Sequence, residues 1–323
     1  MYVFVWLGLL PLWASLGFDG VVGVVRRLLF GVGRLFYRFV VWLRVDGCCV
    51  LPPFTGKVVK SLLIKCNPRL VSVFEGRVFP KPIRVSTLFR RNGYFLWKRR
   101  GCGDVISVDG GDVLGFIVGC YGEYLEDVLS AIDNLRDVDL FGCRWSVIEL
   151  SAECFRIPSR EPLYRLDDVD VVKVVFRTPA LFVDPVKPSR FRRFAPISGF
   201  VFSYNIGDVA RLEREPDYIS LVNLFSALVV EAHSCLETCK RVFYIYDGKE
   251  LPGVVGYVNY HLENDIVSSY PEFKLFVENV LTHAYVMGVG SSRADGFGHV
   301  DIVLVKSNQE ITKRELKATY RGS

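Results

Sequence analysis

Apolar residues fall into two successive series of short elements, separated by a charged stretch. Phe39 to Val45 is an apolar run ending in Asp46-Gly47, the pattern of a buried first strand. From Thr55 to Cys66, Val58, Val59, Leu62 and Leu63 share one helical face. Lys57, Lys60 and Lys65 fall mostly on the other, so the spacing predicts an amphipathic helix capped by Thr55 and stopped by Asn67-Pro68. Strands are predicted at 83–89, 93–98 and 113–120, a helix at 123–135 with Leu125, Val128, Leu129 and Ile132 inward, and a strand at 144–157. Pro158 to Asp170 is charged and contains proline, which marks a linker. The second series runs strand 171–177, helix 217–233, strands 241–246 and 254–261, helix 271–286 and strand 299–305. The second series therefore reads β-α-β-β-α-β and the first reads the same with one extra strand, and the fold class is α+β: tandem ferredoxin-like domains with antiparallel sheets. The expected division is an apolar extension at 1–37, a first domain at 38–157, a linker at 158–170, a second domain at 171–306 and a polar tail at 307–323. This duplication rests on element order alone.

Composition narrows the class. Of 323 residues, 50% are hydrophobic and 23% charged, which excludes a disordered chain. The formal charge of +5 identifies a nucleic-acid binder only where cations cluster. Nine cysteines lack a C-x-x-C pair or a Cys/His quartet of zinc spacing, so neither a metal site nor a cofactor is expected, and their scatter suits reduced thiols in a cytoplasmic protein. Residues 1–43 depart from this picture. Met1 to Phe18 carries no charge, as in a membrane anchor, but Gly8, Pro11, Gly17 and Gly20 interrupt the run. The competing reading is a start assigned too far upstream, with the native chain beginning near Arg38.

The strongest signal is Gly288-Val-Gly-Ser-Ser-Arg-Ala-Asp-Gly-Phe-Gly298, between the last helix and the last strand. Gly288, Gly290, Gly296 and Gly298 let a backbone approach a phosphate, and Arg293 adds a bidentate cation. A Rossmann turn runs from strand to helix, the reverse of this order, and no G-K-[ST] is present. A plain helix C-cap with a bulged turn is the structural alternative. Two cationic runs with interleaved aromatics accompany the loop. Arg90, Arg91, Tyr94, Trp97, Lys98, Arg99 and Arg100 form one; Lys187, Arg190, Phe191, Arg192, Arg193 and Phe194 form the other. Cations neutralise phosphates and rings stack on unpaired bases, as in the recognition of single-stranded RNA.

The string GVGSSRADGFGHV resembles the C-terminal glycine-rich loop of the RAMP superfamily. Within it, the chain most resembles the CRISPR-associated endoribonuclease that cuts precursor CRISPR RNA inside each repeat. Val175-Phe-Arg-Thr-Pro-Ala-Leu-Phe182, Gly256-Tyr-Val-Asn-Tyr260 and Asn67-Pro-Arg-Leu70 support the likeness, which covers roughly residues 38 to 306. The resemblance implies RNA cleavage without a metal, by attack of a 2′-hydroxyl, giving a 2′,3′-cyclic phosphate and a 5′-hydroxyl. The partner it implies is CRISPR repeat RNA, with effector-complex subunits or a second copy of the chain as further candidates.

Such cleavage needs a base, an acid and positive charge on the phosphate. Many members of the family carry a Tyr and a His on or after the first helix and a Lys a few residues later. The Asn67-Pro68 match puts those positions on Lys60, Glu75 and Lys81, so this chain departs from the pattern: no histidine precedes His233. Lys60 and Lys81 are candidates for phosphate stabilisation. Glu75 is a weak base at its ordinary value of about 4.3, and a solvated helix residue is its plainer reading. His299 could approach a phosphate or cap a turn, and His283 reads as core. A non-cleaving RNA-binding subunit and a membrane-anchored protein are the rival functions.

Overall fold

The computed structural model describes residue 25 and residues 33–77, 80–98, 105–185, 194–210, 216–246 and 249–306. The remainder of the N-terminal extension, residues 307–323, and Arg99, Arg190, Arg192 and Arg193 lie outside the described residues.

Alternation in the first strand, β1 (Arg34–Asp46), decides the layering of the first half. Phe39, Val41, Leu43 and Val45 are buried on one face, whereas Arg38, Val40 and Trp42 point to the other. On the buried face lie α1 (Gly56–Cys66), whose Val58, Val59, Leu62 and Leu63 are fully enclosed, and α3 (Leu125–Asp133), with the short α2 (Leu70–Glu75) between them in sequence. The remaining strands are β2 (Cys49–Leu51), β3 (Ile83–Val85), β4 (Phe89–Arg90), β5 (Ile106–Val108), β6 (Val113–Tyr121), β7 (Val138–Leu140) and β8 (Cys143–Ile157). The main sheet runs β3-β6-β1-β8-β7, with β4 also on β6 and β2-β5 paired separately. Read over β3, β6, β1 and β8, that is the ferredoxin-like order.

The second half repeats it. The elements are β9 (Val169–Ala180), α4 (Ser198–Val201), α5 (Ser203–Ala210), α6 (Pro216–Leu228), β10 (Val229–Tyr246), β11 (Lys249–Leu262), α7 (Asn264–Ser269), α8 (Pro271–Met287) and β12 (Val300–Lys306). Its sheet is antiparallel, in the order β10-β11-β9-β12. Both halves have the mixed helix and antiparallel-sheet class that the periodicity predicts.

Several elements differ from the sequence reading. The helix expected over 217–233 stops at Leu228, because Val229 and Val230 pair with Leu262 and His261; His233 therefore sits in a strand. Residues 93–98 form no strand and make only the isolated bridges Phe89↔Phe95 and Phe54↔Trp97. Thr55 does not cap α1 with its side chain. Its hydroxyl donates to Leu96 O at 2.7 Å and accepts from Leu88 N at 2.8 Å, tying the helix start to the following loop. Pro158 to Asp168 lies along α8, where Ser159 N donates to Asn279 Oδ1 at 2.7 Å and Leu166 N to Glu278 Oε1 at 2.8 Å. Buried on nearly every side, α8 also touches the first half: Phe36 packs edge-on against His283, 4.9 Å between ring centres. The expectation of reduced thiols fails at one pair, since Cys49 and Cys143 form a disulfide between β2 and β8. The other described cysteines are free, and Cys102 and Cys239 fall outside the residues whose side chains are described.

Candidate functional site

The glycine-rich loop is wedged between the two halves. Within it, Val289 N donates to Gly298 O, Gly298 N to Pro179 O, Ser291 N to Leu181 O and Gly290 N to Val201 O. His299 N donates to Thr178 Oγ1 at 2.9 Å. Most of the amides expected to cradle an anion are thus spent inside the protein. The glycines answer to the same crowding. Gly298 has φ +69°, and a Cβ there would stand 1.9 Å from Val289 O. A Cβ on Gly56, at the start of α1, would stand 2.2 Å from Asp295 O, so the helix and the loop meet backbone to backbone. Phe297 closes the contact by stacking on Phe54, with 4.4 Å between centroids.

Arg293, expected to reach a phosphate, turns inward. Its Nη2 lies 2.9 Å from Asp208 Oδ2, with 6% and 4% of the two side chains exposed. His283 Nε2 is 3.4 Å from the same oxygen, and Asn205 Nδ2 joins His283 Nδ1 at 2.9 Å and Gly288 O at 2.8 Å. Burial pushes the Asp208 carboxyl above the usual carboxylate range against the pull of Arg293, and burial with the charge of Arg293 holds His283 far below an ordinary histidine. This arginine anchors the loop to α5.

Two residues further on, Asp295 faces the other half, and there three expected site residues meet. Lys60 Nζ lies 3.2 Å from Asp295 Oδ1 and 2.8 Å from Glu75 Oε1. The helical wheel puts Lys60 among the solvated lysines. Instead it is only 7% exposed, because the loop folds over that side of α1. Burial alone would lower its pKa, but Asp295 and Glu75 outweigh burial and hold the ammonium above the usual lysine value. Glu75 ends α2 with 44% of its side chain exposed, a solvated helix residue that is also an ion-pair partner of Lys60. Lys81 Nζ donates to Val73 O at 3.0 Å and to Gly76 O, at the end of the same helix. Its pKa is lowered, first by burial and then by the charge of Lys60. The cluster thus holds one secured ammonium, one ammonium nearer its neutral form, and two carboxylates.

The other face of the first sheet carries a separate group of cations. Arg38 lies over the Tyr285 ring at 4.2 Å and 2.9 Å from Glu153 Oε2. Arg84 is fully buried, with Nη1 2.8 Å from His299 Nδ1 and Nη2 donating to Tyr285 O. Its protonated guanidinium requires His299 Nδ1 to be the acceptor. His299 is 3% exposed, which closes off the phosphate approach, one of the two roles open to it from the sequence. Of the first cationic run, Arg90 pairs with Asp112, and Arg91 pairs with Glu149 while lying 4.9 Å over Trp42. Lys98 is half-buried, and its N–H donates to Pro53 O.

Sequence reasoning missed Asp295 and Asp208. Asp295 stood in view two residues from Arg293, a spacing that lets one side chain face each half. Asp208, 85 residues from its partner, left no signal. Among the described residues no three His, Cys, Asp or Glu side chains form a group that could hold a metal, and no helix is long and apolar enough to cross a membrane, which says nothing of a β-barrel.

Residues 37–155 match the family model described as the Cas6 N-terminal domain. No curated protein sequence matches the chain. Among solved structures, a Cas6 product complex aligns at TM-score 0.57 and 16% identity, covering 84% of this chain and 100% of that one. A second Cas6 product complex aligns at 0.57 and 12%, covering 83% and 99%. Thermus thermophilus Cas6 aligns at 0.54 and 15%, covering 84% and 100%.

Proposed function

From the match of residues 37–155 to the Cas6 N-terminal domain model and the similarity of the fold to that of Cas6 structures, we propose a CRISPR-repeat endoribonuclease, cutting precursor CRISPR RNA without a metal. The observation that carries the reading is the convergence of Lys60, Glu75 and Lys81 beside the glycine-rich loop. Glu75, the half-exposed carboxylate, takes the proton of the 2′-hydroxyl as its oxygen attacks phosphorus. Lys60 stabilises the charge that develops on the phosphate, and Lys81 gives a proton to the departing 5′-oxygen. One proton is accepted and one donated, leaving a 2′,3′-cyclic phosphate and a 5′-hydroxyl. The glycine-rich loop, through Asp295, holds Lys60 in place, and Gly288, Gly290, Arg293, Gly296 and Gly298 act by shaping that loop. Arg90, Arg91 and Lys98, with Arg99, Arg190, Arg192 and Arg193, supply cations for the RNA backbone. The partner is CRISPR repeat RNA, in the cytoplasm.

The test is incubation of the protein with labelled repeat RNA in EDTA. One discrete cut ending in a cyclic phosphate, lost in Lys81→Ala while binding persists, is the expected result. Binding without any cut would favour a second reading, a non-cleaving subunit of an effector complex. That reading draws on the two carboxylates already engaged by Lys60 and on the absence of a histidine from the cluster.

A further inference from the structure

The face of the second sheet turned away from its helices carries side chains that the cluster at Lys60 does not use. Along β9 the buried residues Val172, Val174 and Phe176 alternate with Lys173, Val175 and Arg177, which face outward. On β11 the inward residues are Val258 and Tyr260, and the outward ones are Tyr257 and Asn259. The register sets Tyr257 between Cys235 and Val175, and Asn259 between His233 and Lys173. The two central strands thus put one aromatic ring and one ammonium side by side. Lys173 Nζ lies 4.5 Å from the centre of the Tyr257 ring, and the His233 ring lies 6.1 Å from it. Tyr257 is half-buried, His233 is exposed, and Val303 beside Lys173 on β12 is 48% exposed.

Two cations, Lys173 and Arg177, and two carboxylates, Asp301 and Glu237, are described on this face. Asp301 is taken up by Arg177, while Lys173 has no carboxylate within ion-pair distance among the described residues. Burial and the neighbouring Arg177 disfavour the ammonium, so it gains from an incoming negative charge. A planar ring on the middle of a four-stranded sheet, flanked by a cation and by amide and imidazole groups, is the arrangement on which an unpaired base stacks while its phosphate meets the cation. A duplex cannot use it, because its bases are already stacked.

We propose that Tyr257, with Lys173, Asn259 and His233, is a stacking platform for an unpaired nucleotide of the bound RNA. The proposal rests on the RNA-processing reading above and assigns a single-stranded segment, distinct from the cut position, to the second sheet. On binding, the base takes the place over the ring now held by the Lys173 ammonium, which moves onto the adjoining phosphate.

Fluorescence anisotropy with a labelled single-stranded oligouridine, and with a duplex of equal length, tests it. Loss of one stacked base in Tyr257→Ala should weaken single-strand binding by about 5- to 150-fold and leave duplex binding unchanged. Tyr257→Phe, which keeps the ring, should bind within about twofold of the parent. Lys173→Ala, at a surface position, should lower the salt slope of single-strand binding by about 0.7. Parental affinity and slope in both Tyr257→Ala and Lys173→Ala would overturn the platform while leaving cleavage at Lys60 and Lys81 standing. A parent protein that binds neither RNA would overturn the RNA reading and the platform together.

Discussion

Replacing Asp208 by Asn removes one charge from the pair that anchors the glycine-rich loop and leaves the shape unchanged. The pair is enclosed, with 6% of the Arg293 side chain and 4% of the Asp208 side chain exposed, and Arg293 Nη1 already has no hydrogen-bond partner. Taking away the carboxylate strands a guanidinium in a space that also holds the neutral His283. Breaking one side of such a pair costs about 3–5 kcal/mol. Asn keeps an acceptor at the same place, so the low end, about 3 kcal/mol, is expected. That is a large part of a stability of about 5–15 kcal/mol. Glu149→Gln breaks the pair with Arg91, whose side chains are 54% and 62% exposed, and should cost no more than about 1 kcal/mol. Urea unfolding followed by circular dichroism measures both. At a slope of about 3 kcal/mol/M, Asp208→Asn should lower the midpoint by about 1 M. The double variant Asp208→Leu with Arg293→Met should recover much of the loss, since an apolar pair carries no desolvation penalty. Equal midpoints for Asp208→Asn and Glu149→Gln would refute the account of the anchor.

Three further outcomes follow from particular contacts. Gly298→Ala combines a left-handed backbone with a collision against Val289 O and should cost about 2–5 kcal/mol, read as a fall in melting temperature; an unchanged melting temperature would refute the crowding. Lys60→Ala removes a like charge that lowers the Lys81 pKa, so the alkaline limb of the cleavage rate, where the Lys81 ammonium is lost, should move to higher pH; a limb that stays or moves down would remove Lys81 from the proton donor's role. The Cys49–Cys143 disulfide closes a loop with a sequence separation of 94, for which chain entropy accounts for about 4–5 kcal/mol. Reductant should therefore lower the melting temperature of the parent and leave Cys49→Ser unaffected, and equal sensitivity of the two would count against the bond.

Local periodicity in the sequence was enough to place β1, α1, β6, α8 and β12, and so the order of elements in each half, because each carries a face of Val, Leu or Phe that must be covered. It also marked the loop at Gly288 to Gly298 and, through the resemblance, Lys60, Glu75 and Lys81. It could not place the short α4 and α5, whose few turns are stabilised by packing rather than by their own pattern. Nor could it say that Lys60 is buried or that Arg293 faces inward. A helical wheel divides inside from outside only for the sheet beneath a helix, whereas Lys60 is covered by a loop 235 residues away and Arg293 is held by an aspartate 85 residues away. Which charges meet across such separations is decided when two sheets dock. The tertiary structure alone therefore decides where the cations of this chain can act.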